Sequence, residues 1–515
     1  MSLLNDGAEV NATIHVQMEY SILWSEYQQA KQRIQDLEKE NAYLKEQLLL
    51  ANQRQFGKKS EVGESIVEKP LQAVTGYVRH SGKKTLGRLI DTTGLPRYKM
   101  YHTLNEQYCQ CGHLLEKMDE ETSEQLEVVP LRLYVIEHIR EKYTCRHCNS
   151  IKMAPKSPAP IPKGLAGGSL LTEIIINKYQ YHLPLYRQSK ILENYNAYIP
   201  DNTLGNWVMQ SGSGLLPIYE AFWEAVLKER YLQVDETPIK VLKPEKTAYL
   251  WGYYAPQAGR GLVVFEFSLT RSGQVAEERL RNFKGLLQTD GYTGYQKLRE
   301  REDITAFGCM THGRRKFSEV LKITKNPEGI AAELIERLKP IYALEARMRE
   351  LKISFHTRKR LRQKEAWPLL KALHVWLKQN SHHVPPKSAL GAAINYMLTQ
   401  WRYLIMYLRH GCAEIDTNWL ENLIRPTALG KRNWLFMGHE ESGKIHALWF
   451  SFIISAIMNG LNPRVYIHFL LSKTHELRTK TIDPKTLLPH MIDRNALQAF
   501  ADQQVAFAKV LLDSS

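Results

Sequence analysis

The chain has 515 residues, 43% of them hydrophobic, which suits several domains with buried cores better than one. Lys and Arg number 69 against 54 Asp and Glu, a net charge of +15, which biases partners toward polyanions. No apolar run reaches the length that spans a bilayer, so a helical membrane protein is excluded; the best run, ALWFSFIISAIMNGL at 447–461, reads as a buried helix.

The opening MSLLNDGAEV lacks the basic-then-apolar pattern of a secretory signal. The chain is therefore expected in the cytoplasm, nucleoid-associated when bound to DNA. Its six cysteines are expected to be reduced or metal-bound there.

Residues 15–52 read as a leucine-zipper-like coiled coil. Leu23, Tyr27, Ala30, Ile34, Leu37, Asn41, Leu44 and Leu48 recur at spacings of four and three, and Asn41 falls where a buried amide favours a parallel dimer. An amphipathic helix packed on its own chain is the plainer reading; self-association is preferred because no Gly or Pro interrupts the heptads. Residues 53–108 are basic and poorly periodic, a linker or a small DNA-contacting segment, with Lys58 and Lys59 as its first DNA-binding candidates.

Residues 109–152 carry a C-x-C pair, Cys109 and Cys111, and a C-x-x-C pair, Cys145 and Cys148. Thiolates at the tips of two turns supply the four ligands of structural Zn²⁺, and the alternating stretch between them predicts a hairpin, so the segment reads as a zinc ribbon. The first knuckle is tight, and His113 or His147 is able to stand in for a cysteine. MAPKSPAPIPKGLAGG marks a boundary, after which 165–227 is predicted helical, a scaffold with some DNA contact. A helix start is expected at Asp201 or Thr203.

From 228 to 465 the pattern predicts strand, strand, strand, helix, strand, helix, with a basic helical insertion at about 325–410; 466–515 comes after it as a helical tail. That order is the order of a ribonuclease H-like core, a mixed sheet with helices. The expected fold class is therefore multidomain α/β, with this core preceded by coiled coil, zinc ribbon and helical segment.

Asp235 in YLQVDETPIKVL and Asp290 in GLLQTDGYTGY are expected at the carboxyl ends of neighbouring strands. Glu421 lies 131 positions after Asp290, on a predicted helix in EIDTNWLENLIRPTALGKRNWLFMG. A lone acidic residue is usually structural, but three converging carboxylates hold a pair of Mg²⁺ (or Mn²⁺) ions, which attack phosphodiesters. In CMTHGRRKF, His312 and Arg315 are expected to support the site and Arg314 to meet phosphate; Cys309 reads as core. Arg425, Lys431 and Arg432 flank Glu421, either a solvated face or a grip on the DNA backbone. Trp207, Trp434 and Phe436 are stacking candidates, with buried packing the commoner role.

At these motifs the chain resembles a transposase of the insertion-sequence 66 family over most of its length. FGKKSE after the zipper-like helix, CQCG to CRHC, IPKGLAGGSLLTEIIINKYQYHLPLYRQ, DETPIKVL, TDGYTGY, THGRRKF and IDTNWLENLIRPTALGKRNWLFMG carry the likeness in order. In the last block Asp416, Asn418, Glu421, Arg425 and Pro426 match, while Thr417 and Asn422 depart. The resemblance implies a DDE triad of Asp235, Asp290 and Glu421. It also implies Mg²⁺-dependent cleavage at transposon ends and attack of the freed 3′-hydroxyls on target DNA. The partners expected are double-stranded DNA (ends and target), a second copy of the chain and accessory transposition proteins, with no membrane. The competing readings are an inactive DNA-binding relative and a nuclease without strand transfer.

Overall fold

The computed structural model describes residues 24–34, 36–38, 40–41, 44–45, 133–144, 151–154, 158–256 and 260–513. Cys109, Cys111, Cys145, Cys148, Lys58 and Lys59 lie outside them, as do Leu23 and Leu48 of the heptad run. The described residues between 24 and 45 are helical. Tyr27, Ile34, Leu37 and Leu44, four members of the predicted seam, are about half exposed, so the described residues leave that stripe uncovered.

A short antiparallel pair, β1 (Lys142–Thr144) and β2 (Ile151–Met153), brackets the second cysteine pair in sequence. Of the stretch expected to form a hairpin between the two knuckles, 112–132 lies outside the described residues; 133–141 carries no regular structure, and β1 pairs with a strand on the far side of the second knuckle.

The main sheet has the order β5 (Leu262–Ser268), β4 (Glu245–Ala255), β3 (Tyr231–Lys243), β6 (Gly285–Gln288), β7 (Ile304–Phe307). β3, β4 and β5 form an antiparallel meander; β6 runs parallel to β3, and β7 parallel to β6. β8 (Met437–His439) also pairs with β3, at Val241 and Lys243. β3 thus has β6 beside its first three residues and β8 beside its last, and between them it has a partner only on the β4 side. Pro238 falls in that stretch, where a strand tolerates a residue without an N–H.

The Glu440–Met458 helix covers β5 and is buried almost all round, as 447–461 predicts. Ser451 and Ser455, one turn apart, accept the N–H groups of Phe265 and Val263 at 2.9 and 3.0 Å. These hydroxyls occupy backbone groups that an edge strand otherwise offers to another chain. The helix from Asp201 to Ser213 starts directly after Pro200, without a side-chain cap, and Asp201 sits in its first turn.

Between β7 and Glu421 lie the helices Met310–Thr324, Ile330–Glu350, Phe355–Leu361, Trp367–Ser381 and Ala389–Leu404. Most of them share a hydrophobic cluster separate from the one under the meander. A buried ionic network ties this cluster to the chain before Glu421. Arg362 pairs with Glu345 at 2.7 Å, both side chains fully buried, and Arg358 bridges Glu345 and Glu414.

Candidate functional site

Asp235 and Asp290 are brought level by strand register. Gln233 pairs with Gln288 across the parallel β3–β6 contact, and each aspartate stands two residues further on. The glutamines also tie the strands to the segments beside them. Gln288 Nε2 donates to the carbonyls of Gly308 and Glu414, both at 2.9 Å, and Gln233 Nε2 donates to the carbonyl of Asp416 at 3.1 Å. The two strands carry the same string, Leu-Gln-x-Asp, at Leu232–Asp235 and Leu287–Asp290. That repeat is a signal for the shared geometry that sequence reasoning missed.

Asp235 is not at a strand end, as expected, but is the fifth residue of a 13-residue strand. β3 continues because its whole later length pairs with β4. What ends at Asp235 is the neighbour: β6 stops at Gln288, and Asp290 begins the loop beyond. Asp290 Oδ1 accepts the N–H of Tyr292 at 2.9 Å, and its carbonyl accepts from Arg299, whose guanidinium also holds Thr289 Oγ1 at 2.8 Å.

Glu421 lies near enough to Asp235 for its charge to act on it, and one bare residue lets its helix in. Asp235 pairs with Gly252, so both face the same side of the sheet. A Cβ on Gly252 would stand 3.1 Å from Leu420 and 3.3 Å from Ile424. The missing side chain lets the Asn418–Trp434 helix, with Glu421 in its first turn, lie across β3 and β4. Asp416 fixes the start of that helix: its carboxylate accepts Asn418 N at 3.2 Å and the Thr311 hydroxyl at 2.8 Å. Burial lifts Asp416 to about 6.

The electrostatics show the crowding. Burial, then the charges of Glu421, Glu236 and Asp290, push the Asp235 carboxyl well above its ordinary range. Glu236 is a fourth carboxylate that sequence reasoning passed over. It is buried and accepts from Arg271 at 2.8 Å and from the Tyr295 hydroxyl at 2.5 Å, and burial raises it too. Glu421 Oε2 is ion-paired with Arg315, while Oε1 is buried without a hydrogen-bond partner among the described residues. The carboxylate oxygens of Asp235, Asp290 and Glu421 are hard donors, and the raised Asp235 carboxyl together with the orphaned Glu421 oxygen fits a divalent cation such as Mg²⁺.

The other candidates fall at varied positions. His312 Nδ1 lies 3.6 Å from Glu421 Oε1. Arg314 stacks over the Tyr342 ring rather than standing free toward phosphate. Lys431 Nζ donates to the Pro238 carbonyl at 3.2 Å; Arg425 and Arg432 are exposed on the same helix. Trp207 and Trp434 are buried in the core, as the commoner reading had it, and Phe436 is exposed.

The architecture is that of a mixed α/β protein, with acidic residues near the place where two strands part and a helix carrying exposed basic residues beside them. Comparison with known proteins narrows this. Residues 163–445 match the family described as "Transposase IS66 family", and residues 106–149 match "zinc-finger binding domain of transposase IS66". The chain belongs to the IS66 transposase family.

Three proteins of Sinorhizobium fredii (strain NBRC 101917 / NGR234) are similar to it. Uncharacterized protein y4jD is 32% identical over 436 residues, covering 81% of this chain and 84% of the relative. Uncharacterized protein y4hP is 29% identical over 388 residues, 71% and 70% of the two chains. Uncharacterized protein y4qI is 30% identical over 377 residues, 70% and 69%. Among the described residues, no helix is long and apolar enough to cross a membrane.

Proposed function

We propose that this chain is the DNA transposase itself: it binds the terminal inverted repeats of its element, cleaves the phosphodiester at the ends and joins the freed 3′-hydroxyls to target DNA. The observation that carries this reading is the gathering of Asp235, Asp290 and Glu421 where β6 leaves β3 and the Glu421 helix crosses the sheet. The strand order, an antiparallel meander and then two parallel strands, supports a ribonuclease H-like core at 228–465, with 325–410 as its helical insertion.

Asp235, Asp290 and Glu421 would hold two Mg²⁺ (or Mn²⁺) ions. When bound, the pair supplies an activated water or 3′-hydroxyl and positive charge at the leaving oxygen. Asp235 and Asp290 present their carboxylates from fixed register. Glu421 would bring the third from the helix that lies over Gly252, and Arg315, ion-paired with Glu421, and the exposed Arg425 would meet phosphate, with Arg432 further along the same helix. Cys109, Cys111, Cys145 and Cys148 would hold structural Zn²⁺ in a DNA-binding module. The exposed stripe of Tyr27, Ile34, Leu37 and Leu44 would pair two copies, so that two ends are cut together.

The test is cleavage and strand transfer on DNA bearing the terminal repeats, with Mg²⁺, comparing wild type and Glu421→Gln. Cleaved and joined products from wild type alone are expected. Tight binding with no product from wild type would overturn the catalytic reading, and cleavage without joining would reduce it to a nuclease.

A further inference from the structure

Cys309, His312 and Glu421 meet outside the aspartate pair. Their ligand atoms all lie within 4.8 Å of one another. The sequence separates them into a C-x-x-H step and a glutamate over 100 positions away, and the two helix starts bring them together. Cys309 caps the Met310–Thr324 helix and His312 lies in its first turn, as Glu421 lies in the first turn of its own helix.

Three details exceed chance packing. His312 Nδ1 and Glu421 Oε1 are both buried and have no hydrogen-bond partner among the described residues. They stand 3.6 Å apart, long for a hydrogen bond, yet two ligands about 2.05 Å from one tetrahedral ion stand about 3.3 Å apart. Cys309 Sγ, fully buried, accepts from both the N–H and the hydroxyl of Thr417, at 3.3 and 3.2 Å. Such donors are what a metal-bound thiolate gathers around it.

We propose that Cys309, His312 and Glu421 form a second cation site, selective for Zn²⁺ over Mg²⁺, with one coordination position open. A sulfur, a nitrogen and an oxygen make a borderline-soft set that Mg²⁺ does not take. The site shares Glu421 with the triad. The consequence rests on the proposed catalytic role of Glu421: Zn²⁺ holds the carboxylate away from Asp235 and Asp290 and so inhibits the enzyme.

The probe is Zn²⁺ itself, on the full chain. Protein loaded with a small excess of Zn²⁺ and passed through metal-free gel filtration is assayed for zinc by elemental analysis. Wild type is expected to keep two equivalents, one of them in the zinc-finger module, while Cys309→Ser and His312→Gln keep one each. One equivalent in wild type, or equal content in all three, overturns the site. The wild-type count decides even where a variant folds poorly. In a second arm, Mg²⁺-supported cleavage is titrated with Zn²⁺, and half-inhibition of Cys309→Ser, relative to its own uninhibited rate, is expected at least tenfold higher than for wild type. Two equivalents without inhibition leaves the metal site standing and instead removes Glu421 from the catalytic centre.

Discussion

The two aspartates and the glutamate are placed by different physics. Asp235 and Asp290 are set by a hydrogen-bonded ladder: once Gln233 faces Gln288, both positions are determined. Glu421 is set by packing, through a bare Gly252 under its helix, the Asp416 cap at the helix start and the ionic network behind Glu414. A ladder is local and rigid, whereas a packed helix depends on residues from all over the chain. Changes at the sheet should therefore remove chemistry and leave the fold intact, while changes around the helix should disturb both.

The largest effect tests the sheet half. Asp235→Asn is expected to lower cleavage by at least ~10³-fold, the scale of losing a group that stabilises charge in the transition state. The same change removes a buried charge that Glu421, Glu236 and Asp290 repel. Its melting temperature in metal-free buffer should therefore rise, by a free energy on the order of 1 kcal/mol. A variant that is both inactive and less stable would mean that Asp235 is a structural residue.

Next comes the network behind the helix. Glu345→Gln leaves the fully buried Arg362 guanidinium without its counter-charge, and breaking such a pair costs about 3–5 kcal/mol. Denaturant unfolding should show that loss, and the double change Glu345→Met with Arg362→Met should recover most of it. If the single change costs less than about 1 kcal/mol, the network is not what holds the insertion to the core. Gly252→Val tests the contact itself. The helix must shift to free Leu420 and Ile424 from the added side chain, and a displacement near 1 Å at a catalytic group costs on the order of 10²-fold in rate. Cleavage should fall while binding to end DNA stays, and unchanged cleavage would show that Glu421 does not need this seat.

The same contrast explains what the sequence disclosed. The strands carrying Asp235 and Asp290 were legible because apolar runs and turn residues mark them locally. The Leu-Gln-x-Asp repeat would have linked them as well. The seat of Glu421 was not legible, because nothing near residue 421 says that Gly252 is its floor or that Arg362 and Glu345 lock the chain before it. Glu236 was missed for a related reason: its partners Arg271 and Tyr295 come from elsewhere in the fold, and next to Asp235 it reads as a solvated strand residue. Trp207 and Trp434 show the limit from the other side, since aromatic type alone does not separate a stacking platform from core.

The smallest effect lies away from both halves, where the Glu440–Met458 helix packs under the helical segment. His446 is buried against the Tyr179, Trp434 and Phe450 rings, and neither ring nitrogen has a hydrogen-bond partner among the described residues. Burial first, then the nearby Lys178 and His182 charges, hold it well below its ordinary 6.5. In the unfolded chain it titrates normally. Its contribution is thus full above pH 6.5, and stability falls as pH drops below that value, because only the unfolded state takes up the proton. The slope from this one group approaches about 1.4 kcal/mol per pH unit. His446→Phe keeps the ring and removes the titration, so its melting temperature should match wild type at pH 7.5 and decline less steeply toward pH 5.5. An acid limb as steep as that of wild type would assign it to the partly buried histidines, such as His182, His468 and His490, which burial also lowers.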